Sequence, residues 1–538
     1  MTPARSPRRT PLALLAAAVL AALACGGGGS TPPPPVDVSP VPAADPGSAL
    51  PDGWERGPFA EIYVRGYQDS DGDGVGDLRG LASRLDYLAE LGVRGIWLMP
   101  VTASQDHDHG YAVADYRGVE PDYGTLEDLD ALVAAAHARG IGVIVDYVMN
   151  HSAATNPLFL NSADGKSNPY RGWYLWKPSQ PLDWSVYGGN PWRQHGTGWY
   201  YAPFASNMPD FDLANPAVAA YHADSQRFWL NRGVDGFRFD AVGMLFENGP
   251  AAWNDQPQNY VRMAEVRALL DGYERRFMVC EGPDDPAGFT AACGSAFAFG
   301  HQYDVMGAAR GDPAAVARVA AYFEDPARHA AATMLSNHDA FAGQRPWDQL
   351  GGDEARYRLA AATYLLQPGI PFVYYGEEVG LGGAGSLSGD WRLRTPMSWT
   401  GDARTAGFTT GKPFRALPSN VATHNVEAER GRAGSLLEFY REVIALRRAV
   451  PALDRGGYEG ARASGATLSF RRALGASHAL VLLNYDVVPL TLQVTGLAPG
   501  AALAPRLPAT APAATADAAG AASFDLPALT VRVYTYDG

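Results

Sequence analysis

A chain of 538 residues with 47% hydrophobic and 19% charged residues exceeds what one core can support and is too apolar for disorder, a coiled coil or a collagenous fibre. Lys+Arg 43 against Asp+Glu 57 gives a formal net charge of -14, which argues against a nucleic-acid partner and for a neutral one. Three cysteines exclude a disulfide scaffold.

The chain opens with Arg5, Arg8 and Arg9 and then the apolar stretch Leu12 to Ala24, the charged and apolar regions of a signal peptide over residues 1–24. Cys25 follows, then four glycines and Ser30. This resembles a bacterial lipoprotein signal, although Ala22 and Leu23 stand where Leu and a small residue are usual; the alternative is an ordinary secretory signal with a stray cysteine. Residues 25–52, rich in Gly, Ser and Pro, read as a linker. The expected location is therefore outside the cytoplasm, as a membrane-anchored lipoprotein (periplasmic or at the cell surface) or as a secreted protein, and the expected state is a monomer.

From Phe59 onward, short β-rich runs alternate with helix-like stretches. The runs are Glu61 to Arg65, Gly95 to Pro100, Gly142 to Tyr147, Gly236 to Asp240, Phe277 to Glu281, a weak sixth near Ala298 to Asp304, Thr333 to Ser336, and Phe372 to Tyr375. Continuous apolar strands in βα order predict an α/β fold, a parallel (β/α)8 TIM barrel over residues 53–151 and 216–450. The Trp-rich segment 152–215 is too long for a loop and reads as a domain inserted after the third strand. Residues 451–538 show alternating strands and predict a C-terminal antiparallel β-sandwich.

Several barrel runs end in or lead to charged or polar residues: Asp146, Asn150 and His151; Arg238 and Asp240; Glu281; and Asn337, His338 and Asp339. That end of a barrel strand is where TIM-barrel chemistry resides. Taken in order, these clusters resemble the four signature regions of the α-amylase superfamily, glycoside hydrolase family 13. The resemblance implies Asp240 as nucleophile, Glu281 as acid/base and Asp339 as transition-state stabiliser, in a retaining hydrolase of α-1,4-linked maltooligosaccharides or starch fragments. Such cleavage needs one anionic and one protonated carboxyl, about 5 Å apart. Arg238, two residues before Asp240 on the same face of the strand, would keep the nucleophile ionised, and the apolar strand before Glu281 would raise its pKa. By the same resemblance Asp108, Tyr111, His151, His338 and Arg394 contact substrate. The context Asp106-His107-Asp108-His109 departs from the usual one, which leaves open which acidic residue reaches the sugar.

The run Asp69, Asp71, Asp73, Val75, Asp77 alternates oxygen ligands in the manner of a Ca2+ loop. It lacks the glutamate that an EF-hand carries at its twelfth position, where Gly80 stands, and it matches the calcium loop of many oligosaccharide-cleaving family members. Gly243 and Met244 occupy the positions where α-amylases carry a Lys-His pair. The motifs around Arg394 to Trp399 look like those of α-glucosidases and trehalose synthases, so a transglycosylase or trehalose-forming isomerase is the competing reading. A non-catalytic carbohydrate-binding relative would have lost the carboxylates. Cys280 and Cys293 fit either a bridge or two buried thiols.

Overall fold

The computed structural model describes residues 33–537; the signal peptide and Cys25 lie outside the described residues. Seven parallel strands form the central sheet: β1 (Phe59–Ile62), β2 (Gly95–Leu98), β3 (Gly142–Val148), β4 (Gly236–Asp240), β5 (Phe277–Cys280), β6 (Ala332–Thr333) and β7 (Ile370–Tyr374). Their spatial order is β5-β4-β3-β2-β1-β7-β6. The gap between β5 and β6 is closed by single bridges, Cys280 to Ala296 and Phe297 to Ala332. The expected sixth strand at 298–304 is thus misplaced. Pairing is confined to Ala296 and Phe297, because Gly294 and Gly300 turn the chain through left-handed φ of 86 and 95 on either side, and a helix, His301–Ala309, follows. The first strand also ends early: a helical turn, Val64–Tyr67, replaces the last residues expected of it.

Side chains alternate along each strand, so every second residue enters the barrel. The lower layers are apolar. Phe59 stacks on Phe372 at 4.7 Å and on Phe277 at 5.2 Å, with Trp97, Ile144 and Val279 in the same cluster. Gly95 and Gly142 make room for this packing: a Cβ at Gly95 would meet the Phe59 ring at 2.3 Å, and one at Gly142 the Trp54 ring at 2.2 Å. The next inward positions carry Glu61, Asp146, Arg238 and Asp240, all buried. An apolar, largely aromatic floor therefore sits beneath a layer of charges.

Residues 33–52 do not hang free. The Val41 amide donates to Asp224 at 3.0 Å and that of Ala44 to Asn231 at 2.9 Å. Asp45 pairs with Arg276, and Leu50 and Trp54 are buried in the cluster that fills the barrel's lower end. The segment composed like a spacer is held by backbone donors and a few apolar anchors, which composition does not reveal.

The insertion contains a helix, Pro157–Asp164, and a three-stranded antiparallel sheet of Trp176–Lys177, Gly198–Tyr201 and Trp192–His195. Its Trp192 and Tyr201 pack with Met244 of the barrel. At the C-terminus, a six-stranded sheet that includes Thr467–Leu474, Ser477–Asn484 and Thr530–Asp537 faces the pair Leu490–Val494 and Ala522–Leu526. The apolar faces meet through Leu480, Leu482, Phe524 and Tyr534, which makes the expected sandwich. Among the described residues no helix is long and apolar enough to cross a membrane.

Candidate active site

A cavity of about 630 Å³ opens at the C-terminal ends of the barrel strands and is lined by Asp240, Glu281, Asp339, Tyr111, His151 and Arg394, among others. Arg238 lies under it, 1% exposed. One nitrogen of its guanidinium contacts Asp240 at 2.7 Å and Asp146 at 3.1 Å, and the other contacts Glu281 at 3.0 Å. A planar fork suits this work, since it meets several carboxylates in fixed geometry and stays charged when buried.

The carboxyls differ in their proton affinity. Burial pushes Glu281 up to about 7, with Arg238 pulling it down and the Asp240 and Asp339 carboxylates pushing it further up. One Glu281 oxygen accepts from the Ala241 amide at 2.9 Å. Burial also raises Asp240, and Arg238 is the strongest influence in the opposite direction. Asp339 behaves otherwise. Burial opposes its ionisation, but His338 and Arg394 outweigh this and hold it well below the usual carboxylate range. Its oxygens lie 3.0 Å from His338 Nε2 and 2.8 Å from Arg394.

His338 is fixed from both sides. Its Nδ1 is 2.6 Å from Glu61, and although burial disfavours charge, the Asp339 and Glu61 carboxylates hold its pKa up at about 9. His151 is the opposite case: burial pushes it down to about 3. Its Nε2 is buried without a hydrogen-bond partner, which leaves a neutral imidazole nitrogen for a hydroxyl group. Tyr111 stacks on His338 at 5.5 Å, and its hydroxyl donates to Asp146 at 3.0 Å.

Asp108 does not line the cavity. Arg415 grips both its oxygens at 2.7 and 2.8 Å, and the Tyr63 hydroxyl donates to it. Asp106 accepts three backbone amides, from Asp108, Gly110 and Ala112, so it shapes the loop and is not free for sugar. His109 lines the cavity beside Tyr111. Glu61, Asp146, Arg415 and Asp390 join the site without a role expected for them from the sequence. Asp390 lines the cavity and sits 3.2 Å from Arg394. Asp146 lies near the C-terminal end of β3 and so carried a signal; Arg415, in an irregular loop, and Asp390, in the short helical turn Gly389–Arg392, carried none.

Of the five residues expected to bind calcium, Asp69, Asp71 and Asp77 bring carboxylate oxygens within 4.8 Å of one another. Asp73 turns to accept the Val75 amide at 2.7 Å. Hard, anionic oxygens in one turn are a donor set that fits Ca2+. Cys280 and Cys293 are joined by a disulfide, directly before the carboxyl of Glu281.

The family model for the alpha amylase catalytic domain matches residues 61–456. A probable alpha-glucosidase of Rhizobium meliloti is 31% identical over 492 residues, 80% of this chain and 89% of its own. The trehalose synthase/amylase TreS of Mycobacterium tuberculosis is 33% identical over 484 residues, 78% of this chain and 79% of its own. Among solved structures, the alpha-amylase from H. orenii superposes with a TM-score of 0.76 at 31% identity, covering 90% of this chain and 100% of that one.

Proposed function

The chain belongs to the alpha-amylase family of glycoside hydrolases, and from that footing we propose that it is a retaining α-glucosidase cleaving α-1,4 bonds of short maltooligosaccharides. The observation that carries this reading is the single guanidinium of Arg238 touching both Asp240 and Glu281. Two carboxyls sharing one fork favour the separation of about 5 Å used in double displacement over the roughly 6.5 to 9.5 Å needed to seat a water in inversion.

In the first step Asp240 attacks the anomeric carbon while Glu281 gives its proton to the departing oxygen. The sugar remains as an ester on Asp240. Water, deprotonated by Glu281, then displaces it. A carboxyl with a pKa of about 7 serves both turns near neutral pH. Asp339, kept anionic by His338 and Arg394, faces the positive charge that develops on the ring. His151 and Tyr111 bind the sugar from the wall. Asp240→Asn or Glu281→Gln should abolish cleavage of maltotriose while leaving the fold intact, and near-normal activity in either would overturn the assignment.

The similarity to a trehalose synthase keeps a second reading in view, in which a sugar rather than water takes the glycosyl group from Asp240. Product analysis on maltose separates the two: glucose alone for the hydrolase, trehalose or a longer oligosaccharide for the other. We also propose that Ca2+ binds the turn around Asp69, where it would supply charge that steadies the loop after β1. Cys25 is proposed as a lipidated anchor, and Cys25→Ser should release activity from the membrane fraction; unchanged fractionation would exclude it.

A further inference from the structure

Tyr187 stands at the tip of a two-residue turn in the inserted domain. Val186 and Gly189 exchange backbone hydrogen bonds at 2.8 and 2.9 Å, and Tyr187 and Gly188 take left-handed φ of 50 and 80. Such a turn favours Gly, Asn or Asp at both positions, and a bulky aromatic residue there is strained. The inserted domain's core does not require the ring, which is 70% exposed. It rests instead on the segment that follows the nucleophile strand. Its ring lies 5.6 Å from Trp253, and its hydroxyl donates to Met244 Sδ at 3.2 Å.

The same ring lines the catalytic cavity with Glu281 and Asp284. Of the charged groups around its hydroxyl, Glu281 and then Asp284 act most strongly, which sets Tyr187 on the acid/base side, whereas Tyr111, His338 and Arg394 gather round Asp339. Phe204 links Tyr187 to His151 along the cavity, 6.1 Å from the first and 5.2 Å from the second. When Glu281 protonates the glycosidic oxygen and the bond from that oxygen to the anomeric carbon breaks, the departing sugar leaves from the Glu281 side with oxygen and proton together.

We infer that Tyr187 is the stacking platform for that departing sugar, a specificity-determining residue for the leaving group. Strain of this kind persists where the surroundings hold it for function, and an exposed aromatic face is the surface that a sugar ring's C–H groups meet. The inference rests on the glycosidase reading above.

The experiment compares maltotriose, which has a sugar leaving group, with α-glucosyl fluoride, which has none. In Tyr187→Ala the ratio of kcat/KM for maltotriose to that for the fluoride should fall roughly 3- to 10-fold, and Tyr187→Trp should restore it. Tyr187→Gly, which suits the left-handed turn, should lose the same discrimination while its Tm stays within about 2 °C of wild type. Equal losses on both substrates, or a ratio within about 1.5-fold of wild type in both truncations, would overturn the platform. A wild-type enzyme inert toward both substrates would overturn the glycosidase reading and this inference with it.

Discussion

Replacing Arg238 with methionine keeps an unbranched apolar stem and removes the guanidinium with its charge. Asp146, Asp240 and Glu281, all buried, would lose the guanidinium that contacts all three. An arginine beside a carboxylate lowers its pKa by about 1 to 3 units. Both limbs of the kcat/KM profile should therefore move up by that amount, and with Asp240 starting at about 6 kcat/KM at pH 7 should fall roughly 2- to 100-fold as the nucleophile takes up a proton. Breaking a buried ion pair from one side costs about 3 to 5 kcal/mol. With an unfolding entropy of about 2.1 cal/mol/K per residue over roughly 500 residues, that is a fall in Tm of about 3 to 5 °C. The deficit should depend on pH. Carboxyls whose folded pKa is raised above the unfolded value destabilise when forced to ionise, so the gap should widen toward pH 8 and narrow toward pH 5. Scanning calorimetry and initial rates on maltotriose across that range measure both effects. A variant whose limbs stay at the wild-type pH, with only the height reduced, would refute the claim that Arg238 sets the charge of the pair.

In the wild-type enzyme, activity should be lost as pH rises through about 7, where Glu281 gives up the proton it must donate; an alkaline limb above pH 9 would place the acid elsewhere. Chelation should lower Tm, because an ion that binds only the folded chain stabilises it by mass action, and Asp71→Ala should abolish the response. A Tm that ignores the chelator would leave the loop without a metal.

The catalytic groups were legible in the sequence because their motifs, in order, resemble the signature regions of the α-amylase family, and the period-two strand adds where Arg238 points. Arg238 and Asp240 are two residues apart on β4 and both face inward; Glu281 follows an apolar run directly, and Asp339 closes the polar motif Asn337-His338-Asp339. Short range was enough. The sixth strand was not legible, since two bridged residues between glycines have no periodicity to detect. The course of residues 33–52 was hidden for another reason. It depends on partners such as Asp224, Asn231 and Arg276, far away in the chain, while its own composition suggests a spacer. The grip of Arg415 on Asp108 joins two irregular segments about 300 positions apart, beyond any local pattern. The Cys280–Cys293 bridge became decidable only once the short segment after β5 was seen to bring the two sulfurs together.

The most direct test of the account is the anomer released first. Proton NMR following maltotriose in the first minutes, before mutarotation, should show the α-anomer appearing ahead of the β-anomer, because two displacements at Asp240 restore the original configuration. Initial release of the β-anomer would mean a single displacement by water and would contradict the covalent role assigned to Asp240.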